Sequence, residues 1–325
     1  FLEHPFLISK EDLIEMGKNK AHRSRHLVPC ISAPVRTIFN HLGSLKGQGF
    51  NHILEHYESH PEEARTIALL YASHWEGYYG GNTANLCENV ISILKEKRNL
   101  ERKLDIASGP FSLSRILGEP VTNVDLNSHM LEAGRLLERK EIIVPGNIAY
   151  QSPFHKLPLE NESFDLAVCS LALHMSKIKI KREEIREREL ALREINRILT
   201  KDGYGLITLP HTIIGESDLG RFYDGLNKLG FNVLPFSGFY NGPKEETNFK
   251  VYIVGLQKRE NPHKDNLDDE ALIWRMDGEL LRKGSSKKER KHGVPKPKEK
   301  IKQEFVDEFY NIKGKSLEES VRGVL

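Results

Sequence analysis

Apolar residues recur along the middle of the chain at two alternating periods. Pro61–His74 (PEEARTIALLYASH) starts with proline, carries two glutamates in its first turn, and then repeats apolar residues at helical spacing. A second helix fits Thr83–Lys97. A short apolar strand, Lys103–Ile106, leads into the small-residue turn Ala107–Pro110 and a helix at Phe111–Leu117. A strand at Val121–Asp125, a helix at Ser128–Lys140 and a short strand at Ile148–Gln151 follow. Phe164–Ser170 (FDLAVCS) is almost continuously apolar, as a buried parallel strand should be. Next come a long charged helix at Ser176–Leu199, a strand at Gly205–Leu209 and a helix at Asp218–Leu229. The last strands, Phe231–Phe236 and Phe249–Leu256, are joined by a stretch with Gly238, Asn241, Gly242 and Pro243 instead of a helix. That suits an antiparallel hairpin at the sheet edge. Strands separated by helices predict a doubly wound α/β fold, mostly parallel, with helices on both faces.

Composition divides the chain into three zones. Residues 1–60 are polar, histidine-rich and partly helical; residues 61–258 carry the α/β pattern; residues 259–325 form a charged, basic extension. At 325 residues, 38% hydrophobic and 29% charged, the chain can build a sizeable core. No apolar run reaches membrane-spanning length, and no secretory signal precedes the core, so no membrane association is expected. Three scattered cysteines, Cys30, Cys87 and Cys169, do not make a disulfide framework and favour a reducing, cytoplasmic or similar intracellular compartment. The chain starts at Phe1, which fits a processed chain or a piece of a longer polypeptide or complex.

The segment LDIASGPFSLSRIL (104–117) carries the first chemistry. An apolar strand ends in Asp105, small residues Ala107, Ser108 and Gly109 allow close backbone approach to a ligand, and the helix start offers free N–H groups. Asp125 ends the next strand at about the 20-residue spacing expected of a ribose-binding acid. His174 and His211 each follow a strand end, on the side where open α/β sheets bind ligands.

Together these segments resemble the class I S-adenosylmethionine-dependent methyltransferases of type 11, in their small-molecule and RNA-modifying branch. Asp105, Ala107 and Gly109 match the family's glycine-rich turn, and Asp125 matches its second acid. Leu157, Pro158, Ser163, Phe164 and Asp165 match its "LP…SFD" stretch, and LREINRILTKDGYGLITLP (192–210) its helix, turn and fifth strand. The resemblance implies a seven-strand sheet and S-adenosylmethionine as cofactor. It places Asp105, Ala107, Ser108 and Gly109 at the methionine moiety, Asp125 at the ribose, Leu126 at the adenine, Ser170 near the sulfonium, and Tyr79 (with Tyr78) in a lid. Two positions depart from the pattern. Phe111 replaces the last glycine of the turn, and Gln151–His155 lacks the acid that often meets the adenine.

The acceptor is less constrained. His174 and His211 are candidates to orient or deprotonate it. Cys169 lies in a buried strand and reads as an inert core thiol. His52, His56 and His60 would share one helix face, and His22, His26 and Cys30 repeat that spacing; neither set completes a zinc site, and no metal is expected. The basic runs Lys177–Arg182 and Arg282–Lys302 suit RNA or DNA phosphates. The expected function is methyl transfer to RNA, another nucleic acid or a component bound to one. The alternatives are a non-catalytic scaffold module and a small-molecule methyltransferase.

Overall fold

The apolar runs pair at the centre of one sheet. The computed structural model describes residues 41, 44–45, 49–74, 80–175, 182–210, 219–234, 236–241, 250–259 and 261. In chain order these form α1 (Phe50–Ser59), α2 (Pro61–His74), α3 (Gly80–Lys97), β1 (Lys103–Ile106), α4 (Ser112–Leu117), β2 (Thr122–Asp125), α5 (Ser128–Arg139), β3 (Ile148–Gln151) and β4 (Phe164–Ser170). A 3-10 turn (Leu173–Met175), α6 (Arg182–Ile198), β5 (Leu199–Pro210), α7 (Leu219–Lys228), β6 (Phe231–Val233), β7 (Gly238–Asn241) and β8 (Lys250–Lys258) complete it.

The sheet order is β3-β2-β1-β4-β5-β8-β6, with β1 to β5 mutually parallel and β8 antiparallel to β5. This is the doubly wound, mostly parallel seven-strand arrangement with an antiparallel edge. Side chains alternate across it. Ala167, Cys169 and Ile207 face a core closed by α6 and α7, whereas Leu166, Val168 and Leu206 face one closed by α3. A third cluster joins α2 to α5, where Asn127 Nδ2 also donates to the Ala64 carbonyl (3.1 Å).

Two elements, β5 and the stretch before β8, differ from the sequence pattern. β5 runs the full Leu199–Pro210, because the polar turn expected around Asp202 stays within the strand, with Asp202 itself at φ 60°. The first described residue of the long charged helix is Arg182; 176–181 lie outside the described residues. The connection before β8 forms an eighth strand, β7, which pairs with β8 beyond β6. The edge splits there because Phe236 occupies the space a side chain at 255 would need, and the Ser237 hydroxyl accepts the Gly255 N–H (2.9 Å).

At the N-terminal end of the parallel strands, charges are paired. Asp165 accepts from Arg102 Nη2 (3.1 Å), the Arg102 backbone N–H (3.1 Å) and Thr200 Oγ1 (3.3 Å). Glu119 pairs with Lys95 (2.7 Å) and Lys103 (3.4 Å). Lys258 Nζ reaches the Leu199 carbonyl (2.8 Å) and Glu162 (3.2 Å). The "LP…SFD" residues therefore act in architecture. Leu157 is tied to α6 through Glu194 (2.8 Å) and Arg197 (3.1 Å), and Asp165 locks the start of β4.

Candidate functional site

At the opposite end of β1 the chain makes a sharp left-handed turn. Ala107 (φ 56°), Gly109 (φ 55°) and Phe111 (φ 60°) all adopt positive φ, which costs a non-glycine residue of order 1 kcal/mol or more. Phe111 holds the conformation at the position of the missing glycine because its ring is fully buried. It lies against Gly134 of α5, with the Arg135 guanidinium 5.4 Å from its centroid. A Cβ at 134 would fall 2.6 Å from that ring, so the small residue in α5 makes room for the large one in the turn. α4 consequently starts at Ser112, one residue later than the pattern suggests.

Two carboxylates bracket the turn. Asp125 Oδ2 accepts the Gly109 N–H (2.8 Å) and Oδ1 accepts the Asn127 N–H (2.8 Å). Asp105 is buried, and its Oδ2 accepts the Leu113 N–H at the start of α4 (3.2 Å). Among the described residues neither forms an ion pair. Burial pushes the Asp105 carboxyl up to about 7, with the Asp125 charge adding to it; burial likewise pushes Asp125 up to about 6 against its backbone donors. Such a pair favours a cationic ligand, and Asp125 retains acceptor capacity for hydroxyl groups.

One pocket gathers Asp105, Ala107, Ser108, Gly109, Asp125, Leu126 and Ser170, all seven of the described cofactor candidates. Ser170 Oγ is 2.9 Å from Thr208 Oγ1, which also accepts the Leu171 N–H (3.1 Å); Leu171 has φ 54°. Sequence reasoning missed the wall opposite. Phe50, Ile53 and Tyr57 of α1 line the pocket, and Phe50 packs on Phe154 at 4.1 Å between centroids. Their i, i+3, i+7 spacing was the available signal of a buried helix face. The Phe50 N–H donates to Glu187 of α6 (2.7 Å), anchoring the start of this cover. Tyr57 is held above its ordinary range by burial and by the nearby Asp125 and Glu63 carboxylates. Where the adenine-side acid is missing, Ser152, Pro153 and Phe154 line the pocket.

The remaining candidates divide. The backbone of His174 lies in the 3-10 turn after β4, its side chain outside the described set; Tyr78, Tyr79, His211 and the run 282–302 lie outside the described residues, as do 177–181 of the other basic run. Cys169 is buried, its thiol pushed up to about 12 by burial. The expected face of His52, His56 and His60 does not act as a unit. His52 approaches Glu55 (3.8 Å), whereas His56 stacks on His60 and meets Glu63 of α2 (3.5 Å).

The sheet order, the left-handed turn and the paired carboxylates are the features expected of a domain similar to the class I methyltransferases, whose cofactor is S-adenosylmethionine. Residues 104–207 match the family model described as a methyltransferase domain. The chain is similar to ubiquinone/menaquinone biosynthesis C-methyltransferases UbiE. With that of Haemophilus ducreyi it shares 33% identity over 148 residues, 43% of this chain and 52% of the relative. With that of Escherichia fergusonii it shares 32% over 142 residues, 42% of this chain and 51% of the relative. The chain thus spans about half the length of the curated relatives it matches. A solved S-adenosylmethionine-dependent methyltransferase from Mesorhizobium loti aligns at 17% identity and TM-score 0.39, over 53% of this chain and 96% of that one. No described helix is long and apolar enough to cross a membrane.

Proposed function

We infer that the chain is an S-adenosylmethionine-dependent methyltransferase. The observation that carries this reading is the pair Asp105 and Asp125, bracketing a left-handed turn with no cation among the described residues to balance them. Asp105 with the Ala107–Gly109 backbone would hold the ammonium end of the cofactor, Asp125 its ribose hydroxyls, and Leu126 with Pro153 and Phe154 its adenine. The cofactor supplies an electrophilic methyl group on sulfur. The protein's part is to align the acceptor, exclude water and receive the acceptor's proton where one is lost. Thr208 fixes Ser170 and Leu171 at the end of β4, so the floor beside the transfer point is rigid.

The acceptor reading preferred here is a small molecule with apolar surface. The described wall next to β4 is formed by Leu171, Ala172 and Met175, and the curated relatives are named as C-methyltransferases of ubiquinone/menaquinone biosynthesis. A nucleic-acid acceptor is the second reading, favoured by the basic run Lys177–Arg182 directly after that wall and by Arg282–Lys302. His174 and His211 are the proton-accepting candidates in either case.

Calorimetric titration with S-adenosylmethionine and S-adenosylhomocysteine, using Asp125→Ala as control, tests the reading. Micromolar binding that the substitution abolishes is expected; a folded chain that binds neither compound overturns it. Deleting 282–302 then separates the acceptors, because only a nucleic-acid substrate would lose affinity with that run.

A further inference from the structure

A second constellation lies beneath the α1 cover and is independent of the methyl-transfer reading. His41, on the segment ahead of α1, is buried; its Nδ1 is 2.9 Å from Glu63 Oε1, and its Nε2 is 3.4 Å from the Tyr57 hydroxyl. His56, on α1, directs Nε2 at the other oxygen of the same carboxylate, Oε2, at 3.5 Å. That nitrogen is buried yet makes no hydrogen bond. The ligand atoms of His41, His56 and Glu63 all lie within 4.8 Å of one another.

We propose that His41, His56 and Glu63 form a binding site for a zinc-class divalent cation that clasps three chain segments over the pocket. Two imidazoles and one carboxylate are a donor set suited to zinc, with a fourth position left to water. Tetrahedral ligands at about 2.1 Å from the ion sit about 3.4 Å apart; here the two histidine-to-carboxylate distances are 2.9 and 3.5 Å, so small side-chain movements would complete the site. The alternative, a plain hydrogen-bond network, uses His41 and Glu63 well but strands His56 Nε2. A cation would account for that atom, supplying a positive charge between an imidazole nitrogen and a carboxylate oxygen 3.5 Å apart that make no hydrogen bond. The surroundings are those of a metal site. Tyr57 meets the second nitrogen of His41, His60 stacks on His56 at 4.5 Å between centroids, and Glu63 is partly exposed, which gives the ion an entry path. Tyr57 also lines the pocket, so the clasp fixes one wall of the site described above.

The test is competition for zinc against a fluorescent chelator at neutral pH, with the full chain and its variants. One zinc per chain is expected, with affinity at least tenfold weaker in His56→Ala and in the nearly isosteric Glu63→Gln, and unchanged in His52→Ala. Wild-type protein loaded with cobalt(II) in place of zinc should show the visible absorption of a low-symmetry site, a readout that does not depend on how the variants fold. Absence of stoichiometric binding overturns the proposal. So does binding that survives His56→Ala and Glu63→Gln but disappears when His22, His26 and Cys30 are replaced together.

Discussion

The two ends of β1 handle charge in opposite ways. At its start, Lys103 is neutralised by Glu119, and next to it Arg102 and Asp165 share two side-chain hydrogen bonds. At its other end Asp105 is buried with no cation among the described residues to pair with it, Asp125 stands beside it, and the backbone between them is strained at Ala107 and Phe111. Paired charges lower the energy of the folded chain by themselves. Buried, unbalanced carboxylates raise it until something positive arrives. One end of the sheet therefore gains stability from its own charges, while the other carries charge that a cationic ligand would balance.

The largest expected effect asks whether strain dominates the ligand end. Phe111→Gly removes the positive-φ penalty of about 1 kcal/mol but empties the space against Gly134, at about 3–5 kcal/mol. Chemical denaturation should show a net loss of about 3 kcal/mol; a stabilised variant would mean that the strain outweighs the packing. Next, Asp125→Ala should weaken S-adenosylhomocysteine about 100-fold, or about 2.7 kcal/mol, with little change in the melting temperature of the ligand-free chain. At the paired end, Asp165→Ala should reverse that pattern, costing about 2 kcal/mol of stability and leaving ligand affinity within about twofold. If both substitutions change both quantities equally, the two ends are not separate in function.

The smallest effect concerns pH. Asp105 and Asp125 hold their protons more tightly in the folded chain than in the unfolded one, so their contribution favours folding at low pH. It is lost as pH rises from about 4 through 6 and 7. Asp165 is held below its ordinary value, chiefly by the Arg102 side-chain hydrogen bond working against burial, so its contribution is lost as pH falls. Asp105→Asn should therefore raise ligand-free stability at pH 8 by on the order of 1–2 kcal/mol relative to wild type, with no gain at pH 4. Ligand affinity should tighten from pH 5.5 to pH 8 in the wild type and lose most of that dependence in the variant.

Much of this contrast was legible in the sequence. An apolar strand, an acid, small residues and a second acid after the next strand encode the turn locally, so Asp105, Gly109 and Asp125 fall where pattern reading puts them. Asp165 was legible as part of a motif, but not its role, because its partners, Arg102 just ahead of β1 and Thr200 in β5, are distant in sequence. Thr208 under Ser170 and the meeting of His41 with Glu63 are likewise products of tertiary packing, which no local period reports. β7 was hidden by its glycine and asparagine ends, which look like turn residues until β8 offers a partner.

The seat of Phe111 against Gly134 has a consequence for how such a chain can change over time. The two residues share one volume, so neither can vary alone without a clash or a hole. A descendant that restored glycine to the turn would be free to enlarge position 134, and only in that order.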